Sequence, residues 1–309
     1  MSIGSIADKQ ACSNASGANT GKLGCLSLFG TPAHLLAIRK GTEIPSTEDF
    51  NLAYITPLVQ KGIMIPIIDA AAFEDLSSED SYSTNSSGEK RMNLEGLPEY
   101  KFMYEEGHEF YKQLARLKSY KAYDFAIGDD AGNWMFAKTS AGNFKGFTAG
   151  HFTPELTKRK VMGGDSESKS AVVQFLDRLQ FDKNYSILHS EDLTMTPQEM
   201  PQVNGVVLEF TTAPTGGDTT LKLTAKLASD RESPVEGLLV ANFKVMVEGT
   251  TEVPTLLTET GAGIYILTVD ALVSTETVSV DLWDGTLSVH VTESNDVLYR
   301  SDALSAVIL

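Results

Sequence analysis

Cysteine is scarce in this chain of 309 residues, which contains only Cys12 and Cys25. Two thiols at that spacing lack the paired C-x-x-C arrangement of a recognisable zinc site, even when His34 is counted with them. A disulfide between them is possible in principle, but a cytosolic chain disfavours it, so the sequence leaves their pairing open. The sequence therefore predicts no structural metal and no disulfide framework.

Long apolar runs are also missing. No segment approaches the ~20 residues that a membrane-spanning helix needs. The N-terminus, MSIGSIADKQACSNASG, has no cationic start followed by an apolar block, so it does not predict a signal peptide. We expect a chain that is made in the cytoplasm.

Catalytic motifs are the third absence. The patterns G-x-S-x-G and H-E-x-x-H do not occur, and no phosphate-binding glycine loop follows a strand. The turn Asp129–Asn133 offers oxygen donors of the kind calcium uses, namely Asp129, Asp130 and Asn133, but it lacks the distal glutamate of a calcium loop. The histidines show no paired spacing: His34, His108, His151, His189 and His290. We predict no catalytic residue, no cofactor, no metal and no enzymatic activity.

Positive charge is in short supply, because 41 acidic residues outnumber 25 basic ones and the net charge is −16. The part through Asn204 carries a net charge of −6, and the remainder carries −10. Such a chain is a poor candidate for gripping phosphate backbones. It suits a surface past which nucleic acid slides without sticking.

The first third of the chain contains two polar segments. Residues 1–24 are rich in Ser, Ala, Gly and Asn, which predicts a flexible arm that orders only on a partner. Within a folded domain expected over residues 25–190, the stretch 73–92 is polar and serine-rich. It predicts a long surface loop that is either solvated or used in contact with a neighbouring copy.

The rest of that domain has the pattern of strands with one main helix. EYKFMY at Glu99–Tyr104 alternates like a half-buried strand. The clusters Asp129–Asn133 and Ser140–Asn143 predict tight hairpin turns. HEFYKQLARLKS predicts an amphipathic helix whose apolar face holds Phe110, Leu114 and Leu117.

The segment Ser170–Asp182 predicts the last long strand of this domain. Alternation places Val173, Phe175, Leu179 and Phe181 on one face, and Gln174, Arg178 and Gln180 on the other. We expect the apolar face to pack against the helix and the polar face to stay open.

The C-terminal third has a different texture. Residues 191–204 hold two prolines without periodicity and predict a linker, and residues 205–309 contain seven strand-like runs separated by turn clusters. That spacing predicts an immunoglobulin-like sandwich without a disulfide. Alternation predicts a core of Val240, Phe243, Tyr265, Leu267 and Val289.

Two short motifs carry a resemblance in this region. SPVEG at Ser233–Gly237 and GIYIL at Gly263–Leu267 resemble a turn and a core strand of bacterial and phage Ig-like domains. The resemblance implies the fold and no particular ligand. Trp134 and Trp283 lie beside hairpin turns, where indole rings more often lock strand ends than stack on sugar.

The order of elements over residues 25–190 resembles tail tube proteins of long-tailed bacteriophages. That order is a long polar loop, GEKRMNLEGLPEYKFMY, a short helix, hairpin strands, FTAG and SAVVQFLDRLQFD. The resemblance implies a mostly β chain, in which a tail-tube-like β-sandwich or barrel with one main flanking helix precedes the immunoglobulin-like β-sandwich. It also implies six subunits in a ring, inner sheets joined into a polar-lined barrel, and rings stacked into a conduit for DNA.

Partners and location follow from the same resemblance. The partners would be further copies, other tail proteins and double-stranded DNA that passes without specific binding. The location would be the virion tail, after synthesis in the host cytoplasm. The Ig-like domain would decorate the outside and could meet host-surface glycans.

The resemblance also assigns candidate residues. Those expected to face the lumen are Gln174, Arg178 and Gln180, and those expected between rings are Glu79, Asp80, Glu89, Lys90 and Arg91. Two other functions stay open: a different virion structural protein, from the head, neck or decoration, with an Ig-like domain, or a carbohydrate-binding adhesin.

Overall fold

The computed structural model describes residues 2–10, 29–118, 122–158 and 168–309. These residues form mostly β-structure in largely antiparallel sheets, which confirms the predicted mostly β class. The chain divides into two compact units: the first comprises Met1–Ile55 and Ile63–Met200, and the second comprises Thr56–Gly62 and Pro201–Leu309. Cys12 and Cys25 lie outside the described residues.

The elements through Met200 begin with a short helix and continue mainly as strands. In chain order they are α1 (Ile3–Gln10), β1 (Pro32–Arg39), α2 (Leu52–Gln60), β2 (Met64–Ile67), β3 (Ala72–Asp75), β4 (Ser81–Thr84), β5 (Lys90–Leu94), β6 (Glu99–Tyr104), α3 (His108–Arg116), β7 (Tyr123–Asp129), β8 (Trp134–Lys138), β9 (Phe144–Lys145), β10 (Ala149–Lys158), β11 (Ser168–Phe175), α4 (Arg178–Asp182) and β12 (Tyr185–Leu188).

Two sheets of the first unit share an aromatic core. One sheet has the order β12–β8–β7–β1–β2, with β9 paired to β8, and the other has the order β10–β11–β6–β3. Phe125 of the first sheet stacks on Phe152 of the second, with ring centroids 5.0 Å apart. Leu114 and Leu117 are buried in this core and Phe110 packs against it, so the predicted helix and its apolar face are confirmed.

The N-terminal residues correct one prediction. Residues 2–10 are not a flexible arm, because α1 buries Ile3 and Ile6. The backbone N–H groups of Ile3 and Gly4 donate to the carbonyl oxygens of Glu48 and Ser46, both at 2.7 Å. Two isoleucines spaced by three on a helix supply an apolar face that the small-residue composition conceals. Residues 11–24 of the predicted arm lie outside the described residues.

The stretch 73–92 is also not a loop. Its first residues belong to β3. Its second half contains β4, a turn and the start of β5, which form a two-stranded sheet, hereafter the β4–β5 hairpin. The hairpin has no buried apolar face that an alternating pattern could reveal. Side-chain hydrogen bonds organise its turn instead, so the polar, serine-rich composition did not predict it.

The predicted linker 191–204 belongs largely to folded structure. Residues through Met200 group with the first unit, and β13 of the second unit begins at Val203. Thr196 and Glu199 form a capping box on the 3₁₀ turn Pro197–Glu199. Met195 and Met200 are buried. Isolated apolar residues without periodicity anchor this segment, so a search for repeating patterns misses it.

Residues 201–309 of the second unit form strands and one 3₁₀ turn, Val240–Asn242. In chain order the strands are β13 (Val203–Phe210), β14 (Thr220–Leu227), β15 (Phe243–Val247), β16 (Thr250–Glu252), β17 (Leu256–Gly261), β18 (Ile264–Thr268), β19 (Thr277–Leu282), β20 (Thr292–Ser294), β21 (Val297–Ser301) and β22 (Leu304–Val307). They form sheets of order β17–β18–β14–β13–β21–β20 and β16–β15–β19–β22, which share one core.

The predicted core of this unit is partly right. Phe243, Tyr265 and Leu267 are buried. Val240 and Val289 are partly exposed, because they lie in the 3₁₀ turn and in the turn after β19 rather than on strands. Alternation assigns a face only where the chain is extended, so it fails at both turns.

The two motifs quoted from this region meet in space. The Tyr265 hydroxyl donates to the carbonyl oxygen of Val235 at 2.8 Å and accepts from the N–H of Leu238 at 3.3 Å. Burial raises the pKa of Tyr265 to about 12. Gly263 has a φ of +66°, and an added Cβ would lie 2.9 Å from the Cβ of Pro234. The glycine therefore permits the close contact that places the tyrosine.

Candidate assembly surface

The β4–β5 hairpin is closed by a turn that one asparagine organises. The Asn85 side-chain oxygen accepts hydrogen bonds from the N–H groups of Ser87 and Glu89, at 3.1 and 2.9 Å. Gly88 has a φ of +83°, which a residue with a side chain adopts only with strain. Tyr82 pairs with Met92 across the two strands, and Thr84 pairs with Lys90.

Large apolar side chains on this hairpin face solvent. The exposed fraction is 56% for Tyr82, 56% for Met92 and 70% for Leu94, and every residue of both strands is exposed. A two-stranded hairpin is marginally stable on its own, and an exposed apolar cluster is typical of an interaction site. The hairpin therefore has the character of a contact element.

The hairpin connects to β3 and β6 through two chain segments, 76–80 and 95–98, hereafter the neck. The N–H of Leu76 donates to the carbonyl oxygen of Glu99 at 2.8 Å, and the N–H of Ser78 donates to that of Leu97 at 3.2 Å. The neck therefore continues the β3–β6 pairing outward to the hairpin.

The predicted strand Ser170–Asp182 is wrong beyond Phe175. β11 ends there, and the carboxylate of Asp177 accepts a hydrogen bond from the N–H of Leu179, which caps the short helix α4. Aspartate at an N-cap favours helix initiation, and this local effect overrides the alternating pattern. Leu179 is consequently exposed rather than packed with Val173 and Phe175.

The three candidate lumen residues therefore do not share one face. Gln174 lies on β11 and donates from its side-chain amide to Glu99 at 2.8 Å. Gln180 is buried on α4, where its side-chain oxygen accepts from the N–H of Thr148 at 2.8 Å. Arg178 forms ion pairs with carboxylates of the neck. The prediction that one strand face holds all three residues is wrong, and their position relative to a lumen stays a prediction.

The five candidates for contact between rings lie on the hairpin and its neck. Glu79, Glu89, Lys90 and Arg91 are exposed, and Glu89 also accepts a hydrogen bond from the side-chain amide of Asn85 at 2.9 Å. Asp80 differs from them because it binds Arg178 within its own chain. It is thus a residue of internal structure.

The Asp129–Asn133 turn, considered above for calcium, has its first carboxylate occupied. The oxygens of Asp129 accept hydrogen bonds from the N–H groups of Gly30, Ala131 and Asn133 and from the Asn133 side-chain amide, at 2.7 to 3.0 Å. These donors hold the carboxylate as the organiser of a hairpin turn. Its role in this structure is therefore structural.

A cavity of about 430 Å³ in the first unit lies beside the same turn. Its lining includes buried His34, exposed Asp130 and the 3₁₀ turn Pro197–Glu199. The Nδ1 atom of His34 accepts the N–H of Asp69 at 3.0 Å, so the neutral ring carries its proton on Nε2. Burial lowers the pKa of His34, and the nearby carboxylates oppose that shift.

The two tryptophans make contacts within their own units. Trp134 is buried, with its ring 6.2 Å from that of His34. Trp283 follows β19, and the Lys244 ammonium lies 4.5 Å from its ring centroid. The His290 ring lies 4.8 Å from the same indole, and its Nδ1 is 2.7 Å from a carboxylate oxygen of Asp281. Trp283 therefore locks the end of a strand.

Comparison with known proteins adds no relative: no family model matches the chain, and no curated protein matches it. Within the described ranges, the helices are too short or too polar to cross a membrane.

Proposed function

We propose that this chain is a structural subunit that assembles with further copies of itself, and that the assembly is the tail tube of a long-tailed bacteriophage. Rings of six subunits would stack into a conduit for DNA, and the C-terminal Ig-like unit would decorate its outer surface. Other tail proteins would bind the ends of the tube. The protein would act by geometry rather than by catalysis.

The β4–β5 hairpin is the observation that carries the proposal. Tyr82 and Met92 form a cross-strand apolar pair that its own chain leaves exposed. Covering such a pair with a neighbouring copy gains roughly 25 cal/mol for each Å² of apolar surface removed from water. The hairpin also carries Lys90 and Arg91, whose charges suit contact with another copy of a chain whose net charge is −16.

The acidic composition supports the conduit. A passing duplex is held by cations that release its counterions, so a net negative subunit keeps DNA mobile. The edges of open sheets offer a further supporting feature, because ring closure pairs strands that a monomer must otherwise protect.

Electron microscopy and sedimentation of concentrated protein test the proposal. We expect tubes or six-fold rings from the wild-type chain and a shift to monomers in the double variant Tyr82→Ser, Met92→Ser. The matched control is Val253→Ser, Leu256→Ser, which removes two exposed apolar side chains from the second unit and should leave assembly intact.

Three results would contradict the proposal. Assemblies that are symmetric but not tubular would favour a different virion component. Monomers that bind a glycan array would favour the adhesin. Equal assembly by the hairpin variant and the wild type would show that the hairpin is not the contact element.

A further inference from the structure

The backbone pairing of the neck is interrupted just before the hairpin. An added Cβ on Gly96 would lie 1.9 Å from the carbonyl oxygen of Ser78, so the two neck segments approach too closely there for any other residue. The N–H of Gly96 donates to a carboxylate oxygen of Asp80 at 2.8 Å instead of to a backbone carbonyl. The strand register also shifts between Ser81 and Tyr82. The backbone ladder alone therefore does not fix the direction of the hairpin.

One guanidinium lies at this interruption. Nη1 of Arg178 is 2.5 Å from the same oxygen of Asp80 that accepts the Gly96 N–H. Nε of Arg178 is 4.0 Å from a carboxylate oxygen of Glu95, on the other neck segment. Arg178 thus reaches both segments of the neck at the point where their backbone pairing is broken.

The helix that carries Arg178 is itself held to the core. Gln180 lies on the same helix and is buried. Its side-chain oxygen accepts from the N–H of Thr148 at 2.8 Å, and its amide nitrogen donates to the Thr148 hydroxyl at 3.0 Å. Nε of Arg178 also lies 3.5 Å from a carboxylate oxygen of Asp182, one turn along α4. The guanidinium is therefore presented from a position that the core determines.

The charge of Asp80 is stabilised by the same contacts. The hydrogen bond from the Gly96 N–H has the largest effect and holds the pKa of Asp80 below its usual value. The hydrogen bond from Arg178 lowers the pKa further. The carboxylate stays ionised at neutral pH, so its ion pair with Arg178 persists under the conditions of assembly.

We propose that Arg178 is a positioning residue, which fixes the direction of the β4–β5 hairpin by linking Asp80 and Glu95 to α4. This inference rests on the proposed function, in which the hairpin contacts a second copy. A hairpin held in one direction loses less conformational freedom when it docks, so the link favours assembly without touching the partner.

Distance measurement between two spin labels tests the direction of the hairpin. Labels on Ser86→Cys in the hairpin turn and Ser140→Cys in the exposed turn after β8, with Cys12 and Cys25 replaced by serine, report the geometry in dilute, unassembled protein. We expect one narrow distance distribution for the parent chain and a clearly broader one for Arg178→Ala. Lys183→Ala, which removes an exposed cation just after α4, is the matched control and should leave the distribution narrow.

Two further variants separate the contributions. Asp80→Asn keeps an oxygen for the Gly96 N–H but weakens the bond to Arg178, so its distribution should be intermediate. Arg178→Lys keeps the charge but loses the planar fork that reaches two carboxylates, and should also be intermediate. A merely structural role would lower stability without changing the width of the distribution.

Assembly of the same variants without labels completes the test. We expect Arg178→Ala to raise the concentration needed for assembly by about tenfold, since an oriented contact element becomes a mobile one. An unchanged distance distribution in Arg178→Ala would overturn the positioning role even if the wild type forms tubes. A wild type that never assembles, together with a broadened distribution in Arg178→Ala, would refute the proposed function while leaving the orientation of the hairpin by Arg178 established.

Discussion

Two hairpins of the first unit have turns of the same type, but the surroundings of the two turns differ. In the β4–β5 hairpin the N–H of Asn85 donates to the carbonyl oxygen of Glu89 at 3.0 Å, and in the β7–β8 hairpin the N–H of Asp129 donates to that of Asn133 at 2.9 Å. Gly88 has a φ of +83° and Gly132 a φ of +82°. Both turns follow one local rule, in which an Asx side chain accepts the N–H groups of its own turn.

The environments of these turns are opposite. Asp129 is 0% exposed and also accepts an N–H from Gly30, far away in the sequence. The side chain of Asn85, by contrast, forms its hydrogen bonds with Ser87 and Glu89, two residues of its own turn. A local rule therefore builds the turn, and tertiary contacts decide whether it becomes part of the core or an exposed element available to a partner.

The largest difference between the hairpins should appear when the organising side chain is removed. We expect Asp129→Ala to lower the free energy of unfolding of the first unit by about 3 kcal/mol, because buried donors lose a charged acceptor. Asn85→Ala should cost less than about 1 kcal/mol, since water replaces its bonds. Urea unfolding followed by Trp134 fluorescence, in a Trp283→Phe background, measures both. Equal losses of unfolding free energy in Asp129→Ala and Asn85→Ala would contradict the difference between the two turns.

A smaller effect should distinguish the two turn glycines. Gly88→Ala and Gly132→Ala each force a side chain into a left-handed conformation at a cost of about 1–2 kcal/mol. For Gly132→Ala this cost should lower global stability. For Gly88→Ala it should appear only as faster amide exchange in β4 and β5, because an exposed hairpin opens locally. A loss of global stability in Gly88→Ala would show that the hairpin unfolds together with the core.

The smallest effect concerns pH. The folded pKa of His34 lies below its usual value of 6.5, so its neutral form contributes stability above that value, and the contribution is lost as pH falls below 6.5 towards the folded pKa. The folded pKa of Asp80 lies below 3.8, so the neck keeps its contribution until more acid conditions. Acid should therefore weaken the surroundings of β7–β8 before it weakens the neck.

A variant that cannot titrate at position 34 isolates the contribution of His34 to the pH dependence of stability. His34→Asn keeps an oxygen for the Asp69 N–H but does not titrate. When the pH is lowered from 7.5 to 5, the free energy of unfolding should fall more for the wild type than for His34→Asn. A difference that stays constant over this range would contradict the assigned role of His34.

Several elements were predictable because their determinants are local. The helix with Phe110, Leu114 and Leu117 has an apolar stripe, and the turns at Asp129–Asn133 and Ser140–Asn143 have their characteristic residues. The same signal was present at the missed hairpin. NSSGE at residues 85–89 repeats the spacing of DDAGN at residues 129–133 and of TSAGN at residues 139–143, with glycine in the fourth position. Reading that repeat would have predicted β4 and β5.

Another prediction was wrong where the hydrogen bond of one side chain overrode the alternating pattern of apolar and polar residues. The alternation from Ser170 to Asp182 is regular, yet the Asp177 cap ends the extended chain and begins α4. The polar set Gln174, Arg178 and Gln180 was therefore divided among three environments. Periodicity describes which face a residue takes only after the backbone conformation is known, and the cap changes that conformation.

The sequence by itself determined the mostly β class, the main helix, the tight turns and the acidic charge, since each depends on residues close together in the chain or on composition alone. Tertiary structure decided which of two equivalent turns is buried and which is exposed. It also decided that Arg178 meets Asp80, 98 positions away, and that Tyr265 meets Val235. Contacts of this kind depend on how whole sheets pack, because the favourable burial of many side chains outweighs the local preference of any one of them.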